Sequence, residues 1–153
     1  MSKAKKHFKQ IFACGISKPF AGWSSLWFKT DTGLYSFPLS YVESNLPYDL
    51  IDMFKSYIET NQSVSRQFDT EGEDIIVSIK SEGISIITYE QEYIFNIDPT
   101  KFIRMILSDF QLYSYEWASW TNFECEDTEE EYQKNVQNIR TELTNKILTF
   151  HMN

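Results

Sequence analysis

Between Glu73 and Leu112 the side-chain period changes once, from two to about 3.6. That change restricts the chain to folds in which a helix follows directly on a small antiparallel sheet. Ile75, Val77 and Ile79 alternate with Ile76, Ser78 and Lys80, the pattern of a strand with one buried face. Ser81-Glu82-Gly83 is a short loop whose glycine can take positive φ, so it predicts a hairpin. Ile84, Ile86 and Thr88 then alternate with Ser85, Ile87 and Tyr89, and Tyr93 to Ile97 forms a third run. At Asp98-Pro99 the strand pattern ends. Asp98 suits an N-cap and Pro99 the first helical position, while Phe102, Ile103, Ile106, Leu107 and Phe110 make one helical stripe.

The remaining elements are built to fit this centre. Trp23 to Lys29 and Tyr35 to Leu39 read as a second hairpin, its turn at Thr30 to Gly33, with Pro38 marking an edge. Pro47–Glu59 predicts a helix whose stripe is Leu46, Leu50, Ile51, Phe54 and Ile58; Asp49 and Asp52 in its first turns suit the helix dipole. Ser63 to Asp69 is a strand candidate. Thr128 and Glu131 have capping-box spacing and open a last, long helix, Glu129–Phe150, with Tyr132, Val136, Ile139, Leu143, Ile147 and Phe150 on one side. The expected fold is therefore α+β, an antiparallel sheet of about six strands in hairpins with three helices, the last one long. With no repeat and no linker, residues 1–153 read as a single domain led by a basic arm, 1–18, that is either a short helix or unstructured.

Charge is distributed unevenly. Lys3, Lys5, Lys6, Lys9 and Lys18 carry the first eighteen residues, so the rest holds nine bases against twenty-two acids, a net of −13. An acidic body of this kind is repelled by nucleic acid and drawn to basic partners. Cys14 and Cys125 are too few for a disulfide framework or a structural zinc site and read as reduced thiols. The apolar run before Cys14 is too short for a signal segment, and no run approaches the roughly 20 apolar residues of a membrane span. A cytoplasmic protein without metal, cofactor, nucleic acid or membrane as partner is the expectation. Catalytic chemistry is thinly represented. The two histidines, His7 and His151, lie at the chain ends, and neither a phosphate-binding loop nor a nucleophile elbow occurs.

The least ordinary segment is Tyr115 to Glu131. Tyr115, Trp117, Trp120 and Phe123 follow neither period, and Glu116, Glu124, Glu126, Asp127, Glu129, Glu130 and Glu131 accompany them. No Lys or Arg occurs between Arg104 and Lys134. Two readings fit. The aromatics cap the core while the acids solvate a helix start, or Tyr115, Glu116, Trp117, Trp120, Glu124, Glu126, Asp127, Glu129, Glu130 and Glu131 form a partner-binding surface.

One resemblance bears on the choice. SYVESNLPYDLIDMFKSYI followed by RQFDTEGEDIIVSIKSEGISIITYE, roughly Ser40 to Glu90, resembles small bacterial immunity proteins for polymorphic toxins, including the contact-dependent growth inhibition class. It is a pattern of elements, and no functional residue is carried over with it. The resemblance implies an α+β cytoplasmic protein, not an enzyme, that binds and neutralises one cognate toxin, often a nuclease. A basic toxin domain would be the partner. A small adaptor or regulatory binding module is the second reading, and an enzyme using carboxylates in a pocket is the third.

Overall fold

The computed structural model describes residues 4–40, 45–120 and 128–150. Twelve elements follow in order: β1 (Ala4–Phe8), β2 (Ile11–Ile16), β3 (Trp23–Thr30), β4 (Gly33–Ser40), α1 (Leu46–Thr60), β5 (Val64–Asp69), β6 (Asp74–Lys80), β7 (Gly83–Ile87), β8 (Gln91–Phe95), α2 (Pro99–Leu112), α3 (Ser114–Ser119) and α4 (Glu129–Leu148). The strands form two sheets, β1-β8-β7-β6-β5 and β2-β3-β4. The class is α+β, as expected, and the last helix is the longest of the four.

The central stretch folds as its periodicity requires. β6 and β7 pair from Ile76↔Ile87 to Lys80↔Gly83, which puts Val77, Ile79, Ile84 and Ile86 on the buried face. Gly83 has φ 146°, and a side chain there would run into the Phe95 carbonyl of β8. Only glycine joins these three strands so closely. Asp98 then caps α2, its carboxylate accepting the Thr100 N–H at 3.1 Å, and Phe102, Ile103, Ile106, Leu107 and Phe110 are all buried.

The two sheets meet through aromatic rings. Phe28 of β3 stacks on Phe95 of β8 at 3.8 Å and lies 5.9 Å from Phe102 of α2, which meets Phe54 of α1 edge-on. Both sheets and the first two long helices therefore share one core. On the far side of β2, α2 approaches closely at Gly15. The Asp109 carboxylate accepts the Ile16 N–H at 2.9 Å. A Cβ on Gly15 would sit 2.5 Å from that carboxylate and 2.8 Å from the Trp27 ring.

Three expectations need correction. Among the described residues the strands number eight in two sheets, against about six in one, and β1 pairs with β8 in parallel, against an all-antiparallel arrangement. The helices among the described residues number four, against three. The basic lead, expected as a helix or an unstructured arm, supplies β1 and β2. β1 escaped notice because it buries only Phe8; backbone pairing, not side-chain burial, holds it. In β2 the register slips between Ile11 and Ala13, which breaks the alternation a strand would otherwise display.

Candidate functional site

The segment singled out by composition divides between core and surface. Tyr113 closes α2 and opens α3, so the chain turns without a loop and sends six residues back as a short helix. Its inward side holds Ser114, Trp117 and Ala118, followed by Trp120. Trp117 meets Phe110 edge-on at 5.1 Å and Trp120 at 5.0 Å. Both tryptophans are at least 95% buried, so their place in the expected partner-binding surface is corrected: they cap the core beneath it. A six-residue helix is too short to express a period, which is why the sequence pattern looked irregular.

What remains outside is Tyr115, 41% exposed, and the half-buried Glu116. α3 packs along α4, with the Arg140 Nε–H donating to the Ser114 hydroxyl at 2.9 Å. α4 begins with a reciprocal cap: Thr128 Oγ1 accepts the Glu131 N–H at 3.2 Å, and Glu131 Oε2 accepts the Thr128 N–H at 3.4 Å. Glu129, Glu130 and Glu131 are exposed in its first turn, where the helix dipole favours acids. Gln133 donates to Glu129 Oε1 at 2.9 Å. The candidate residues Glu124, Glu126 and Asp127 lie outside the described residues. The structure thus brings Tyr115 and Glu116 together on the outside of α3, and the three glutamates together at the start of α4.

α4 itself is lightly anchored. Only Val136 and Leu143 are buried, while Tyr132, Ile139 and Ile147 are half-buried along the expected stripe. Lys146 lies over the Tyr48 ring at 5.2 Å. The Tyr48 hydroxyl is pushed up to about 12 by burial and by the neighbouring Glu142 carboxylate. Between α1 and α4 runs a cleft of about 350 Å³ lined by Ile51, Asp52, Lys55, Glu59, Lys146 and Phe150, charges of both signs on an apolar floor.

The thiol of Cys14 is held in an unreactive setting. Cys14 is buried, and its thiol is pushed up to about 12, first by burial and then by the Asp109 charge, with Lys101 opposing. It is protonated at neutral pH and shielded from solvent, the opposite of an activated thiolate. Its sulfur lies 3.6 Å from the Met105 sulfur. Among the described residues no three His, Cys, Asp or Glu side chains converge as a metal site would require, and no helix is long and apolar enough to cross a membrane.

Sequence reading overlooked a second polar cluster on the outer face of the five-stranded sheet. The pairings Ser65↔Ser78 and Ser78↔Ser85 set a row of hydroxyls across three strands, and Ser65 and Ser78 are bonded at 2.7 Å. Ser85 donates to Glu92 Oε1 at 2.8 Å. Glu92 also lies 3.8 Å from Lys80 and 4.0 Å from Lys5. Cross-strand register, which sequence spacing does not reveal, creates this cluster. No known protein family, curated protein or solved structure matches the chain.

Proposed function

We propose that this chain is a cytoplasmic immunity protein that neutralises a cognate toxin, a nuclease with a basic cleft, by binding rather than by catalysis. The observation that carries the reading is the division within α3. Trp117 and Trp120 turn inward as a rigid footing, and Tyr115 and Glu116 stand outside, on a helix packed against α4 with its three exposed N-terminal glutamates. An exposed tyrosine beside Glu116, on a helix packed against one that starts with three glutamates, suits a cleft built to grip phosphates, since the acids steer the encounter and the ring supplies contact area. All twenty-two of the chain's acids lie outside its basic lead, so the long-range field also draws in a basic partner. Resemblance of the Ser40 to Glu90 pattern to toxin-immunity proteins points in the same direction.

Co-purification tests the reading. The untagged chain should be retained by a tagged, inactivated toxin domain encoded by its genomic neighbour, and should abolish the nuclease activity of the active form at equal stoichiometry. A complex that leaves nuclease activity intact would favour the adaptor reading. Failure of the neighbouring protein to bind at all would contradict the proposal.

A further inference from the structure

The charge at the chain's start has no part in an acidic binding surface, and its position in the fold suggests a use of its own. β1 closes one end of the five-stranded sheet, with Ala4 to His7 exposed. Its parallel register with β8 runs from Ala4↔Gln91 to Phe8↔Phe95, and the Phe8 carbonyl accepts the Asn96 N–H at 2.9 Å. In a parallel pair, alternate residues bond to the same neighbour. Ala4, Lys6 and Phe8 therefore face β8, and the N–H and C=O groups of Lys5 and His7 face outward. These are the groups to which a further strand would bond.

Two hollows flank this edge and meet at His7 to Lys9. One, of about 420 Å³, lies on the outer sheet face and is lined by Lys5, His7, Lys9, Lys80, Ser85 and Glu92, among others. The other, of about 460 Å³, lies toward the β3–β4 turn and includes Lys6, Asp31 and Tyr35. An added strand sends alternate side chains to opposite faces, so each hollow would receive every second one. Lys5, Lys6, His7 and Lys9 line the edge; of the acids in the hollows, Asp31 lies at the β3–β4 turn and Glu82 accepts the Ser81 hydroxyl at 2.7 Å. Glu92 is already engaged by Ser85, Lys5 and Lys80. The same lysines oppose pairing of β1 with β1 of a second copy, because like charges would then stand side by side.

We infer that the β1 edge is a docking site for an extended acidic polypeptide segment, added as a sixth strand, with its carboxylates against Lys5, Lys6 and Lys9. The inference is independent of the toxin reading, since it concerns a surface of opposite sign.

Fluorescence anisotropy with a fluorescein-labelled heptapeptide of alternating glutamate and valine tests it on the full chain. The peptide should bind, and full N-methylation, which keeps every charge and removes every backbone donor, should weaken binding at least about tenfold. Lys6→Glu with Lys9→Glu should weaken it to a similar degree. His7→Pro removes an outward donor without touching the bonds to β8 and should do the same; if that variant misfolds, the N-methylated peptide decides. Absence of binding by the natural chain would overturn the inference. So would equal binding of the N-methylated peptide, undiminished binding to the lysine variant, or competition by polyphosphate as strong as by the unlabelled peptide.

Discussion

Two regions of this molecule are dense in aromatic rings, and they use them differently. Around Phe28 of β3, the rings of Phe95, Phe102 and Phe54 come from one further strand and two helices, and all four are entirely buried. Around Trp117, the rings of Phe110 and Trp120 are buried as well, but Tyr115 of the same six-residue helix is left outside. Aromatic density alone therefore does not mark a surface for a partner. What distinguishes the second region is Tyr115, a side chain that the core does not claim, next in sequence to Glu116.

The comparison is broken most directly by removing one ring from each region. Phe28→Ala and Trp117→Ala should each cost about 3–5 kcal/mol in urea denaturation, the usual price of emptying a large core site. Tyr115→Ala should stay within about 0.5 kcal/mol, as surface changes do. A Trp117→Ala protein of unchanged stability would return that tryptophan to the surface. A smaller loss, about 1–3 kcal/mol, is expected from Gly15→Ala, because the new methyl group meets Asp109 and Trp27 where α2 presses on β2. Wild-type stability in that variant would mean that α2 can shift away.

Next in size is the cap on α4. Thr128→Ala removes the acceptor for the Glu131 N–H and should cost about 1 kcal/mol, measured by thermal unfolding. If the loss is absent, the start of α4 is not held by its cap, and the glutamates are not presented on a formed turn. The smallest effect concerns Asp109, whose carboxyl is raised by burial against the opposing Ile16 N–H. The folded state holds this proton more tightly than the unfolded state does. Its contribution is thus most favourable below the unfolded value and is lost as pH rises through the folded one. Wild type should lose stability relative to Asp109→Asn over that rise; a difference of the opposite sign would contradict the assignment.

Legibility of the fold followed the periodicity of its elements. β6, β7, β8 and α2 were readable because Ile75 to Phe110 presents long, regular apolar patterns, and because Gly83 and Asp98 mark a turn and a cap. β1 and β2 were not, since one is an edge strand burying a single residue and the other carries a register slip. α3 lacks the length to display a helical stripe, so its tryptophans could not be told from surface residues. Of the candidate site, the acids at the start of α4 were legible through the Thr128–Glu131 spacing. The cluster around Glu92 was not, because it depends on which strands are neighbours.

Association kinetics of the chain with the toxin domain proposed as its partner, followed at low and high salt, test the central claim most directly. Glu116→Lys with Glu130→Lys reverses charge on both helices while leaving Trp117, Trp120 and the Thr128 cap in place. The account predicts slower association at low salt, a flatter salt dependence and a loss of stability no larger than the helix-dipole contribution of the two acids, about 1–2 kcal/mol together. An unaltered association rate in the correctly folded variant would contradict it.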